Sequence, residues 1–159
     1  MKLNKKTKLV FILIALFLIG LAVPSYSWTR KNVKEIETFY NSKLSPIIMI
    51  PGSSATENRF DGLVRKLNQD RRGTKHSLLK VKVWNNGRIT FEGKIRKNDN
   101  EPIIVIGFEN NKDGYSNIKK QSKMMNQAFE ALQNKYNFNN FKGLAHSNGG
   151  LIYTAFIEN

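Results

Sequence analysis

Near the C-terminal end of the sequence, Ala145-His146-Ser147-Asn148-Gly149 sets a serine between two small residues, each two positions away. The chemistry this spacing serves is nucleophilic attack. A strand that turns abruptly into a helix forces the residue at the turn into a strained backbone conformation, and bulky flanking residues would collide with the following helix or the adjacent strand. Alanine stands here where the first glycine of the pattern is usual. The same turn leaves the amide of Asn148 unpaired at a helix N-terminus, where it can stabilise an oxyanion. A five-residue match is weak alone, so its worth depends on the elements around it.

Those elements are of the right kind. Phe141 to Ala145 reads as a short strand and Leu151 to Ile157 as a helix, so Ser147 falls at a strand-to-helix turn. Upstream, Ser45 to Pro51 is a continuous apolar run closed by Pro51-Gly52-Ser53-Ser54, the mark of a strand buried on both faces of a parallel sheet. In a doubly wound sheet the loops after neighbouring parallel strands meet at one edge. Ser53 or Ser54 can then supply a second oxyanion amide beside Ser147.

A serine needs a base within about 3 Å of its oxygen. The sequence has two histidines, His76 and His146. His146 directly precedes Ser147, so its side chain is expected to point away from the nucleophile, into or under the sheet. His76 lies in a basic loop with no reason to converge on the turn. Without a partner histidine to orient, Asp61, Asp70, Asp99 and Asp113 are given no role. The absence of cysteine excludes disulfides, thiol nucleophiles and Cys-ligated zinc, and two histidines exclude a histidine-rich metal centre. No cofactor is called for.

Between these points the pattern is that of an α/β domain. Phe60, Leu63, Val64 and Leu67 predict an amphipathic helix, with Ser54 and Glu57 as a capping box. Leu79 to Trp84 and Arg88 to Glu92 alternate apolar and polar around Asn86-Gly87, which predicts a half-exposed β-hairpin. Pro102 to Phe108 is a second buried strand. Ile118, Met125, Phe129, Leu132 and Tyr136 lie on one stripe of a helix running from about Tyr115 to Tyr136.

At the other end of the chain, Lys2, Lys5, Lys6 and Lys8 precede the apolar run Leu9 to Val23, which is followed by Pro24 and Ser25-Tyr26-Ser27. Residues 1–27 are read as an export signal, cleaved or retained as an anchor; the run is shorter than the roughly 18–20 residues of a spanning helix. Residues 28–44 are read as a linker or short helix, with Val33, Ile36 and Phe39-Tyr40 near helical spacing. The net charge of +14 falls only to about +10 once the leading lysines are set aside. No nucleic-acid motif accompanies it. An exported protein of this charge meets anionic envelope polymers or lipid head groups.

From Ser45 onward the chain resembles the α/β-hydrolase superfamily, and more narrowly a family of exported Gram-positive cell-surface hydrolases of unassigned substrate. The resemblance rests on PIIMIPGSS, VWNNGRITFEG, NEPIIVIGFENN, the long helix ending KYNF, and GLAHSNGGLIYTAFIEN. It implies a mostly parallel sheet with flanking helices plus a hairpin, and a serine esterase or lipase-like activity on a small-molecule or lipid ester. It also implies a Ser-Asp-His triad in that chain order, with Ser147 the nucleophile and both partners beyond the elbow helix. The strand-end His-Gly common in the superfamily is Pro51-Gly52 here. Residues 45–159 give about 115 positions for a fold that commonly needs 200 or more. The expectation is therefore the N-terminal portion of such a domain, lacking acid and base and inactive as this chain. The rival expectation is a non-catalytic envelope protein that holds anionic polymer or lipid on its basic surface.

Overall fold

The computed structural model describes residues 4–39 and 42–158, with side chains over 4–31 and 42–158. In chain order the elements are α1 (Lys5–Phe39), β1 (Ile47–Ile50), α2 (Asp61–Asp70), β2 (Leu78–Val83), β3 (Ile89–Gly93), β4 (Ile103–Phe108), α3 (Tyr115–Tyr136), β5 (Lys142–Ala145) and α4 (Asn148–Ile157). They form two separate units, residues 1–41 and 42–159.

In the first unit, α1 does not stop at Pro24 but continues to Phe39. Proline removes one N–H from the helical ladder, a local loss at the Gly20 carbonyl, and the hydroxyls that follow donate to other carbonyls. Ser25 Oγ donates to the Leu21 carbonyl at 2.9 Å and Thr29 Oγ1 to that of Ser25 at 2.8 Å. The segment from Trp28, expected to be a linker or short helix, is helical as far as Phe39 and continues α1. Lys5–Lys31 is long and apolar enough to cross a membrane by length and composition, its most apolar 18-residue stretch having a mean hydropathy of 2.6. Lys2, Tyr40, Asn41 and the side chains of Val33, Ile36 and Phe39 lie outside the described residues.

In the second unit, strands apolar at every position must be covered on two sides, and these take the middle of the sheet. The order is β3-β2-β4-β1-β5, with β1, β2, β4 and β5 parallel and β3 antiparallel to β2. Ile104, Ile106 and Phe108 of β4 join Ile48 and Ile50 of β1 under α3 and α4, where Met125 and Leu132 complete the main core. Ile103 and Val105 point to the opposite face, against Met49, Phe60 and Val64. This is the expected α/β arrangement, and the hairpin and α3 fall where periodicity puts them.

Helix α2 departs from expectation. Leu63 and Leu67 are 43% and 41% exposed, because the patch of sheet beneath α2 is satisfied by Phe60 and Val64 alone. The capping box does not form, since Phe60 occupies the N-cap. Glu57 turns instead toward Lys82, at 3.8 Å. Ser54 sits in the left-handed region at φ 60° and donates its amide to the Asn111 carbonyl at 2.8 Å.

Helix α4 begins three residues earlier than the apolar pattern suggests and lies hard against β1. A Cβ on Gly149 would stand 2.5 Å from the Ile50 carbonyl oxygen and 2.8 Å from that of Pro51, whereas one on Gly150 would meet nothing within 4 Å. Further along α4, the buried Tyr153 hydroxyl donates to the Ile48 carbonyl at 3.2 Å, and its burial pushes the phenol pKa upward. The Tyr153 ring lies where a Cβ on Gly143 would come within 3.0 Å of it.

At the opposite edge of the sheet, Glu101 accepts from Lys142 at the start of β5 and from Arg71, the latter at 3.3 Å. Lys142 and then Arg71 hold its carboxyl below its ordinary 4.5.

Two outcomes follow for stability. In urea unfolding of the chain in neutral detergent, Gly149→Ala is expected to lose roughly 1–3 kcal/mol, because both clashing atoms are backbone. Gly150→Ala in the same helical turn should instead gain up to about 1 kcal/mol from helix propensity. Equal effects at the two positions would contradict the packing described. A lowered folded pKa stabilises above the unfolded value and is lost on acidification. Glu101→Gln should therefore flatten the loss of stability as pH falls below 4.5. For a carboxylate this exposed the difference at neutral pH is at most about 1 kcal/mol.

Candidate active site

Strands β1 and β5 pair in parallel with Ile50 opposite Ala145, so the chain leaves both at the same edge of the sheet. The His146 amide carries the pairing one residue further by donating to the Ile50 carbonyl at 3.1 Å. At Ser147 the chain reverses into α4 with φ 54° and ψ −130°. This is a conformation that costs a non-glycine residue on the order of 1–3 kcal/mol and persists only where its surroundings enforce it. The enforcement is visible on both sides. Gly149 admits the helix against β1, and a Cβ on Gly52 would come within 3.0 Å of Ser147 Cβ and of the His146 carbonyl oxygen. The Pro51-Gly52 loop therefore lies directly beside the serine.

Ser147 is exposed, and its hydroxyl has no hydrogen-bond partner among the described residues. The same holds for the amides of Asn148 and Ser53. Ser54, an equal candidate in the sequence, has its amide committed to Asn111, which leaves Ser53 as the donor from that loop. The Asn148 side chain fixes the two loops to each other. Its Nδ2 donates to Ser53 Oγ at 2.8 Å and to Asp113 Oδ1 at 2.5 Å.

A cleft of about 420 Å³ opens over these groups, and Arg59 and Asp113 form part of its wall. Neither was assigned a role from sequence. Asp113 reaches the site across 35 residues through Asn148, a separation that carries no local signal. Chemically, the arrangement can present one exposed oxygen to a carbonyl carbon and amide donors to that carbonyl's oxygen, with the positive end of α4 behind them.

The two histidines separate. His146 does not tuck beneath the sheet. It is exposed and lines the cleft, with Nδ1 3.4 Å from where a Gly52 Cβ would be. The physical reason is that β1 has ended at this level, so the ring rests on the glycine loop. It makes no hydrogen bond with Ser147 among the described residues. His76 precedes β2, at the opposite edge of the parallel sheet. Its Nε2 lies 2.6 Å from Arg71 Nη1 and its Nδ1 2.5 Å from the Glu101 carbonyl oxygen. A guanidinium only donates, so Nε2 accepts and Nδ1 carries the proton, a neutral ring used as a structural tie. Among the described residues no group of three His, Asp or Glu side chains could hold a metal ion.

Known proteins share the fold of this domain. A family model described as an alpha/beta hydrolase of unknown function, DUF915, matches residues 34–159. The crystal structure of a candidate cell surface hydrolase from Lactobacillus plantarum is 52% identical, with a TM-score of 0.68 over 74% of this chain. That of a Listeria innocua gene product is 35% identical, with a TM-score of 0.65 over 73%. The matches cover 47% and 44% of those two chains, so this chain spans less than half of their length. No curated protein matches it. With the model matched over most of its length, the chain belongs to the DUF915 family of alpha/beta hydrolases of unknown function.

Proposed function

We propose that Ser147 is the nucleophile of a cell-surface serine hydrolase that cleaves an ester through an acyl-serine intermediate. The observation that carries this reading is the strained φ of 54° at Ser147, on a serine whose oxygen faces a cleft beside two unpaired amides. Strain of this kind at an exposed polar residue is retained where it serves chemistry. In the proposed reaction a general base takes the serine proton as the oxygen attacks the ester carbonyl, the Asn148 and Ser53 amides receive the oxyanion, and the protonated base returns that proton to the leaving alcohol. Water then repeats the attack on the acyl-serine.

Ser147, Asn148 and Ser53 are what these residues contribute. Neither His76 nor His146 bonds the serine among the described residues, so these residues show no general base in place. Taken alone, they hold a nucleophile and oxyanion donors without a general base and should turn over little. Export is supported by the apolar helix within Lys5–Lys31 and by the similarity to the Lactobacillus cell surface hydrolase.

A fluorophosphonate probe with mass-spectrometric mapping tests the assignment. Slow modification of this chain is expected, confined to the peptide containing Ser147 and abolished by Ser147→Ala. Modification elsewhere, or unchanged by that substitution, would overturn it. Rapid modification that is lost in His146→Gln would instead make His146 the base.

A further inference from the structure

The loop from Glu109 to Gly114, between β4 and α3, has two working sides. Asp113 faces the Ser147 cleft. Asn110 and Lys112 face a second cleft of about 580 Å³, whose other walls include Trp84 and Asn85 of the hairpin turn and Lys120 and Lys123 of α3. Both clefts lie at the edge of the sheet where the parallel strands end. They adjoin at the loop, where Lys112 lines one and its neighbour Asp113 the other.

The second cleft concentrates positive charge. Lys120 and Lys123 are three apart on α3 and so share a face, and Lys112 joins them from the loop. Among the described residues none of the three has an ion-pair or hydrogen-bond partner for its ammonium group. Lysines elsewhere in the sheet are paired: Lys80 with Asp61 at 2.8 Å, Lys82 with Glu57 at 3.8 Å. The acid in the lining, Glu109, is already engaged by the Asn85 amide at 2.7 Å. Arg88, over the Trp84 ring at 4.5 Å, adds a further cation at the hairpin side. Like charges brought together in a concavity repel one another and focus the field on a counter-ion.

The walls are also held in place. Gln121, 2% exposed, donates to the Lys112 carbonyl at 3.0 Å. Asn110 Nδ2 donates to Asn117 Oδ1 at 3.0 Å, and Asn117 Nδ2 to the Asp113 carbonyl at 2.6 Å. The lysines thus project from a braced backbone, as a binding surface requires.

We infer that this cleft binds a chain of phosphate groups. Lysine is a compact point charge that binds phosphate oxygens without the fixed fork geometry of arginine. Three cations spread around so wide a cleft suit several anionic groups in series. Ammonium and amide groups with Met124 at the floor suit a polyanion in water, not an acyl chain. The shared loop gives such a chain a path from the lysines to Ser147; that link, unlike the binding itself, rests on the serine-hydrolase reading.

The test is calorimetric titration of the full chain, in neutral detergent at low salt, with inorganic polyphosphate. Saturable, salt-sensitive binding is expected. The triple variant K112Q/K120Q/K123Q should weaken it about tenfold or more, and Lys123→Gln alone about twofold. The triple variant K66Q/K94Q/K97Q removes equal charge from exposed lysines elsewhere and should leave affinity unchanged. Equal losses in the two triple variants would reduce the effect to a diffuse basic surface and overturn the proposal. Binding to phosphatidylglycerol vesicles without binding to polyphosphate would overturn it in favour of a membrane surface. The readout needs no turnover, so failure of Ser147 to react with a fluorophosphonate leaves this result standing, and the reverse also holds.

Discussion

The close approach of one helix to one strand governs this domain. The first turn of α4 touches the end of β1 at Gly149, near enough that a single methyl group would strike two backbone carbonyls. With the helix axis so near the strand, the chain coming from β5 has no room for a relaxed connection and must turn at one residue, Ser147, with φ 54°. The exposed hydroxyl, the free Asn148 amide and the need for glycine at position 52 all follow from that approach. Farther along the same helix, the Tyr153 hydroxyl fastens α4 to the Ile48 carbonyl beneath it. Deep burial on both faces of β1 and β4 is what can hold such strain in place.

Parallel pairing then divides the labour between the two edges of the sheet. Where the strands begin, polar groups satisfy each other: His76 lies between Arg71 and the Glu101 carbonyl, Glu101 joins Arg71 to Lys142, and the buried Asp99 carboxylate accepts from the Ser77 amide. Where the strands end, the Ser147 hydroxyl and the amides of Ser53 and Asn148 are left without partners among the described residues. Groups already satisfied stabilise a fold but have little left to offer a ligand, so chemistry belongs at the second edge.

Local rules carried the sequence reading a long way. Unbroken apolar runs identified β1 and β4, alternation around Asn86-Gly87 identified the hairpin, and a single stripe marked α3 from Tyr115 to Tyr136. The Ala145 to Gly149 spacing pointed to the strained turn because sterics at that turn are themselves local. What escaped was decided by distant partners. Leu63 and Leu67 share the period of a buried stripe, yet the sheet under α2 is too narrow to cover them. Ser53 and Ser54 are indistinguishable until Asn111, more than fifty residues on, takes the Ser54 amide. Asp113 and Arg59 reach the cleft only through the fold.

The charge is where sequence and structure differ most in kind. As a sum, +14 reads as a solvated basic coat. In the fold, Arg71, Lys80, Lys82 and Lys142 each face a carboxylate, and these cations serve the domain itself. Lys112, Lys120 and Lys123 face none among the described residues, as does Arg59 in the wall of the Ser147 cleft. The four lie at the strand-end edge, on loops and helix faces joined by the segment from Glu109 to Gly114. Exposed lysines away from the clefts, Lys66, Lys94 and Lys97 among them, also face no carboxylate among the described residues, so what sets the four apart is not the lack of a partner but their placement around two adjoining clefts. Placement in a concavity, where like charges focus their field on a counter-ion, is what a sum of charges cannot show.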